Sequence, residues 1–401
     1  MLTKKANDRL TRVAAGTPAG ELLRRYWHPV AASVQLEQEP VREVQLLGEE
    51  LVLWRDRNRD LGLLAGHCPH RGTSLSYGIP EPDGLRCAYH GWKFDRSGQC
   101  LEQPAEPASS SFPDRVRIAS YPVQEMGGLV WAYIGPEPAP LLPRYDLFVR
   151  EDVDREIGFA VIPCNWFQIM ENSLDPVHAE HLHGNHANYM LERQGKPAMH
   201  VRRHVRTAFD VFPYGVSKRR LLEGQTEEVD DWRIGHPVLF PNILAVGTAA
   251  QAQFQLRVPI DDTSTMHWWY LTRRRQPGEA PQQTIPLDEF LYRHPDGRFM
   301  VETAMGQDIM TWVTAGPLLD RASERLATSD AGIILYRKVL QDQIAKVEAG
   351  EDPMAVVRDP AQNEPCIAIP REGQFEYQGS GFLPVSNPDF PFANRRRLYP
   401  T

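Results

Sequence analysis

Over the first third of the chain, apolar and polar positions alternate in short runs. Residues 44–56 form two apolar runs around Gly48-Glu49-Glu50, which predicts a hairpin, and 61–65 and 129–134 predict further short strands. One opening helix is expected near 18–26, with Thr17 as its cap and Pro18 at its first position. The run Gly135-Pro136-Glu137-Pro138-Ala139-Pro140-Leu141-Leu142-Pro143 then makes a stiff connector, because each proline fixes its own φ and removes a donor. Beyond it the pattern changes. Residues 166–182 read as helical in part, 201–216 and 254–271 as strands, and 298–315 and 331–349 as long helices. The last of these is capped by Ser329-Asp330 and stopped by Gly350. The division expected is an all-β domain over 1–143, with its core at about 27–135, and an α+β domain over 144–401.

Composition narrows the function classes. The chain has 401 residues, 42% hydrophobic and 24% charged, as in an ordinary globular protein of two domains. Its net charge of −8 argues against nucleic acid as the main partner. No apolar run is long enough to span a membrane, and Met1–Arg12 has no apolar stretch resembling a secretory signal. Five cysteines, Cys68, Cys87, Cys100, Cys164 and Cys366, are too few and odd in number for a disulfide scaffold. The expectation is a cytoplasmic protein whose cysteines beside histidines bind metal.

Two such pairs stand out. Cys68-Pro69-His70-Arg71-Gly72 is followed, after sixteen intervening residues from His70, by Cys87-Ala88-Tyr89-His90-Gly91-Trp92. Thiolates suit zinc or iron–sulfur centres, and imidazoles suit zinc or iron. A Cys₂His₂ zinc site usually pairs like with like. One cysteine and one histidine in each half instead fits a cluster with two cysteines on one iron and two histidines on the other.

Residues 165–183 hold a second concentration: Asp175, His178, His181 and His183 in a helical window begun by Pro176 and expected to end at Gly184. At 3.6 residues per turn, positions five apart lie about 140° apart, so spacing alone favours His181 over His183 as the partner of His178. Two histidines alone make an incomplete metal site; a carboxylate would complete a 2-His-1-carboxylate triad, which leaves metal positions open. In the helix expected from Arg298, Val301, Ala304, Met305, Asp308 and Trp312 form one stripe. An ionised carboxylate in an apolar row is costly unless paired or metal-bound, which singles out Asp308. Asp320 and Asp330 read better as a helix-end charge and a cap.

The segments C-x-H and C-x-x-H, with Tyr89-His90-Gly91-Trp92-Lys93-Phe94, resemble the Rieske signature of the ring-hydroxylating oxygenases. The order Asp175, His178, His183, then Asp308 after Gln307, is similar to the phthalate-dioxygenase-like branch, terminal oxygenase (alpha) subunit. The binding loops lack the extra cysteines of respiratory Rieske carriers. The resemblance implies a [2Fe–2S] cluster on Cys68, His70, Cys87 and His90, and a mononuclear Fe(II) on His178, His183 and Asp308, with His181 outside the ligand set. It also implies a helix-grip (START-like) catalytic domain with an antiparallel sheet, and a homotrimer in which Asp175 accepts a bond from His90 of the next subunit. Gly379-Ser380-Gly381 lacks the third glycine of a dinucleotide fingerprint, so a separate NAD(P)H-dependent reductase is expected to supply electrons. The expected substrate is a small aromatic compound, hydroxylated or O-/N-dealkylated with O₂. If it is carboxylated, Arg202, Arg203 and Arg206, or Lys218 and Arg220, are the candidate clamps. Trp268-Trp269-Tyr270 reads as core. The alternative is a Rieske electron carrier without oxygenase activity, for which a facial triad would have no use.

Overall fold

In a computed structural model of the chain, residues 2–371 and 395–399 are described; Gly379-Ser380-Gly381 lies outside them. The N-terminal half is built from three small antiparallel sheets. Val41–Leu46 and Glu49–Arg55 form the expected hairpin, and Leu61–Ala65 adds a third strand. The turn sits at Leu47-Gly48, one residue earlier than the sequence suggests. Both residues have positive φ, 52° and 81°, the conformation that a two-residue hairpin turn requires. A second sheet joins His28–Ala32, Leu129–Ala132 and Val123–Met126, and a third carries Ile79–Glu81, Gly84–Arg86, Lys93–Phe94 and Cys100–Glu102. The helix Pro18–Leu23 is capped by the Thr17 side chain, as expected. An earlier helix, Lys4–Thr11, has so polar a sequence that its pattern gives no signal. It packs against the helices Trp166–Ser173 and Ala331–Glu348.

The C-terminal half is organised by one nine-stranded sheet. In spatial order it runs His204–Phe212, Gly215–Leu222, His236–Leu239, Ile243–Gly247, Gln251–Pro259, Thr265–Arg274, Val153–Ile162, Leu287–Phe290 and Arg395–Tyr399. All pairings are antiparallel except that of Val153–Ile162 with Leu287–Phe290. Several expected boundaries shift. Region 201–216 is part of a hairpin rather than one strand, because Pro213-Tyr214 turns the chain. Region 254–271 is likewise two strands, and Asp261-Asp262-Thr263 forms the turn between them, with the Asp261 carboxylate accepting from Thr263 N–H at 2.7 Å. The helix expected from Arg298 begins only at Ala304, where the Thr303 hydroxyl caps it by accepting from Gly306 N–H, so Val301 lies outside the stripe. Ala331–Glu348 matches its expected span, and Tyr336, Val339, Leu340, Gln343, Ile344 and Val347 form its buried face. Its expected cap Asp330 instead accepts from Ala327 N–H. No helix among the described residues is long and apolar enough to cross a membrane.

The main apolar core runs through both halves, joining Trp131 and Phe148 (ring centroids 5.0 Å apart) to Phe254 and Tyr270. Trp268-Trp269-Tyr270 is wholly buried, as expected for core. Against this core, Glu171 accepts from Arg321 at 2.6 Å and from Arg337 at 2.7 Å, all three groups being buried. Truncating one partner of such a network leaves uncompensated buried charge, worth about 3–5 kcal/mol. Glu171→Leu should therefore lower the unfolding midpoint sharply, as read by calorimetry, even though it adds apolar volume.

Candidate metal centres

The two Cys/His loops are built alike. In each, the glycine four residues after the cysteine donates its N–H to the cysteine carbonyl: Gly72 to Cys68 at 2.9 Å and Gly91 to Cys87 at 3.0 Å. The cysteine N–H in turn bonds the carbonyl five residues on, Thr73 at 2.8 Å and Trp92 at 2.8 Å. Gly72 and Gly91 have φ of 71° and 74°, a conformation that glycine adopts without the strain a side chain would bring. The loops bring His70 and His90 to a ring separation of 4.5 Å, and Trp92 stacks on His70 at 4.4 Å. Both cysteines sit at the edge of a small core of Val52, Trp54, Leu75, Leu85 and Phe94, while His70 faces solvent and His90 is half-buried. Burial, with Cys87 alongside, pushes the Cys68 thiol up to about 11. A coordinated metal removes that proton. Four donors in two matched turns, sulfurs inward and imidazoles outward, fit a cluster ligated at both ends. Cys100 is buried in the same small core, outside the two loops; Cys164 is buried in the other half, and Cys366 only in part.

The second centre depends on a change of helix type. After Trp166–Ser173 the chain turns at Asp175, whose Oδ1 caps the next segment by accepting from Val177 N–H at 3.0 Å. Gly184 does not end that segment. The chain passes through a π-helical stretch, His181–His186, and continues as Ala187–Arg193. Gly184 is needed for close packing instead, since a Cβ there would lie 2.7 Å from Val201 Cγ1. A π-helix bonds i to i+5 and turns less per residue than an α-helix, so the stretch from His181 narrows the angular gap between residues 178 and 183. His181, which spacing favoured, is exposed and hydrogen-bonds Asn185 at 3.1 Å.

His178, His183 and Asp308 converge, with one potential ligand atom from each lying within 4.8 Å of the others. Asp308 Oδ1 is 3.2 Å from His183 Nε2 and 3.6 Å from His178 Nε2, yet is buried with no hydrogen-bond partner. Donors about 2.1 Å from a first-row ion lie roughly 3 Å apart on one octahedral face, so three converging lone pairs fit a metal. The distal ring nitrogens are fixed. His183 Nδ1–H donates to Gln307 Oε1 at 2.9 Å, and Gln307 is itself held by donating to the Val301 carbonyl at 2.9 Å. His178 Nδ1–H donates to the Asp175 backbone carbonyl, while the Asp175 carboxylate stands 3.9 Å away. Both Nε2 atoms are thus left to bind metal. Burial opposes charge on both partners, but Asp308 and Gln307 raise the His183 pKa, and His183 and then His178 lower that of Asp308. Gln307 has no sequence signal beyond its place next to Asp308. Asp320 and Asp330 cap local turns and take no part.

The three residues line a cavity of about 90 Å³ between the sheet and the helices. Along Gly215–Leu222 the buried face carries Val216, Lys218, Arg220 and Leu222, so two cations point inward. Arg220 is held by Asp231 at 3.1 Å, and Asp231 also binds His236 at 3.0 Å. Burial, then Arg220, drives Lys218 down to about 8. Arg257 is buried with no ion-pair partner among the described residues, its guanidinium bonded to both oxygens of Gln255. Leu244, Val246, Met305 and Trp312 make the apolar part of the wall. Arg203 and Arg206 are exposed, and neither they nor Arg202 lines the cavity, so of the two candidate clamps only Lys218 and Arg220 are in place.

Comparison with known proteins bears on both centres. Residues 26–122 match the Rieske [2Fe-2S] domain, and 296–369 match a domain described as LigXa C-terminal domain like. The chain is 40% identical to the 5,5'-dehydrodivanillate O-demethylase oxygenase subunit of Sphingobium sp., over 94% of this chain and 89% of that one. It is 33% identical to the phthalate 4,5-dioxygenase oxygenase subunit of Pseudomonas putida, over 88% of each. Among solved structures, the terminal oxygenase of carbazole 1,9a-dioxygenase from Novosphingobium sp. KA1 superposes with a TM-score of 0.61, covering 84% of this chain and 94% of that one at 22% identity. The protein is an oxygenase rather than a simple electron carrier, and its cofactors are a [2Fe–2S] cluster and a mononuclear iron. The chain belongs to the Rieske non-haem iron aromatic-ring oxygenases, as a terminal oxygenase (alpha) subunit.

Proposed function

We propose that Cys68, His70, Cys87 and His90 hold the cluster, that His178, His183 and Asp308 hold the catalytic iron, and that the substrate is an aromatic carboxylate. The observation that carries this reading is the convergence of three donors, two imidazoles and one carboxylate, on a cavity walled by buried cations. Bound there, iron supplies O₂ activation. The chain's own residues do the rest. Asp308 offsets part of the metal's charge, and Gln307 and the Asp175 carbonyl hold each imidazole in the ligating tautomer. Lys218 and Arg220 bind the carboxylate, and Trp312 and Met305 keep water from the reacting face.

Electrons come from a separate NAD(P)H-dependent reductase, in keeping with relatives named as oxygenase subunits. The working unit is a head-to-tail homotrimer in which Asp175 meets His90 of the neighbouring subunit, residues 1–143 forming the cluster domain and 144–401 the catalytic one. Relatives act by O-demethylation and by dioxygenation. Turnover of benzoates, phthalates and aryl ethers with reductase under labelled O₂ tests the reading. Labelled hydroxylated product from anionic aromatics, or a phenol and formaldehyde from an aryl ether, supports it; electron consumption without any hydroxylated or dealkylated product counts against it.

Lys218 gives a finer prediction. A charge-assisted hydrogen bond is worth about 1.5–3 kcal/mol. Lys218→Met should therefore raise KM for a carboxylated substrate roughly tenfold to a hundredfold, leaving iron content and the cluster spectrum unchanged. An unaltered KM would place the carboxylate elsewhere.

A further inference from the structure

The cavity carries a second recognition group that the metal chemistry does not use. Gln253 is 7% exposed, lines the cavity, and its Oε1 is buried without a hydrogen-bond partner. Its neighbour Gln255 is already committed, accepting from Arg257 Nη2 at 2.8 Å. A buried amide left unsatisfied costs free energy, so such a group points to a polar partner that arrives with the ligand.

The sheet register shows what that ligand must span. Gln253 is directly opposite Val246, and Gln255 opposite Leu244, so each amide shares its face with an apolar residue of the adjoining strand. Lys218 pairs in register with His236 on the far side of that apolar strip. Between Gly215–Leu222 and Gln251–Pro259 stand two strands, His236–Leu239 and Ile243–Gly247, a backbone separation of roughly 14 Å at about 4.8 Å per strand. Lys218 and Gln253 both line the cavity, so their side chains reach inward from the two ends of this span. The cavity thus presents a cation, an apolar seat and a neutral amide in that order.

We infer that the chain recognises a hydroxylated aromatic carboxylate at two points: the carboxylate at Lys218 and Arg220, and a ring hydroxyl at Gln253. A hydroxyl both donates and accepts, so it satisfies either end of the amide; a methyl group or hydrogen satisfies neither. A second carboxylate at this point would call for a cation beside Gln253; Arg257 lines the same cavity but stands four residues along the strand. This inference rests on the proposed aromatic-acid reading of the cavity and names the substrate class within it.

The test is equilibrium binding to the full-length holoenzyme by calorimetry, without reductase or electrons. The probes are the three monohydroxybenzoates, the three methylbenzoates, benzoate and phenol. At least one hydroxybenzoate should bind about tenfold or more tightly than its methyl counterpart, because a site built for a hydroxyl rejects the analogue lacking it. Gln253→Leu should abolish that preference while keeping benzoate ahead of phenol. Lys218→Met should do the reverse, losing the preference for the acid and keeping that for the hydroxyl. Equal binding of every hydroxyl and methyl pair by the wild-type protein overturns the inference even if a variant fails to fold, as does a hydroxyl preference that survives in Gln253→Leu. Because binding is read without turnover, the expected preference together with failure of the separate labelled-O₂ turnover assay would overturn the proposed reaction and leave two-point recognition upheld.

Discussion

Asp308→Ala is expected to abolish oxygenation, to lose about one iron per chain and to keep about two, with the cluster spectrum unchanged. Asp308 is a buried carboxylate in this group, one oxygen 3.2 and 3.6 Å from the two Nε2 atoms. Without it two neutral imidazoles remain, a poor site for a divalent ion. Removing a residue that merely orients a ligand typically costs 10–100-fold in affinity or activity, and removing the ligand itself should exceed that. The variant should still fold, since alanine suits the helix Ala304–Thr314 and the loss leaves His183 free to become neutral. Iron and acid-labile sulfide analysis beside single-turnover product measurement checks this. Full iron content with normal turnover would move the carboxylate role to another residue.

Asp175→Asn separates two roles that one side chain combines. Oδ1 caps the following segment through Val177 N–H, and Oδ2 lies in a side chain that is 28% exposed, available to a neighbouring subunit. Asparagine keeps the capping oxygen. Because the His178 ring is held by the Asp175 backbone carbonyl, the substitution should leave metal binding intact as well. A pure cap therefore predicts near-normal turnover, with well under the 0.5–2 kcal/mol that loss of a cap costs. The electron bridge to His90 predicts a reducible cluster, a loaded iron site and product formation down by roughly two orders of magnitude or more. Stopped-flow oxidation of the reduced cluster in the presence of substrate reads the difference. Near-normal turnover, or an active monomer, excludes the bridge.

These expectations mix what is local in the chain with what is not. The two Cys/His turns proposed to hold the cluster stand out from residues alone because each pair lies within one turn of five residues, whose geometry is set by a glycine in the same turn. Asp308 was legible because burial of a carboxylate in an apolar stripe is a local contradiction, and the stripe survived even though Arg298–Glu302 proved non-helical. His183 was not legible from spacing. A regular helix sends it away from His178, and the π-helical stretch, with Gly184 packed against Val201 seventeen residues on, brings it back. Gln307 and Gln253 carry no pattern, since their roles consist in which partner they face. Lys218 and Arg220 show the limit most simply. Strand alternation separates Val216, Lys218, Arg220 and Leu222 from Ser217, Arg219 and Leu221, but a period of two is symmetric and does not say which set faces inward. That choice is made by the register with His236–Leu239 and by the helices closing over the sheet, which bury two cations beside the metal site. The sequence by itself determined which chemistry the chain carries, because its ligands lie in short contiguous segments. Only the tertiary structure decided what that chemistry faces, because the cavity wall is assembled from strands far apart in the chain.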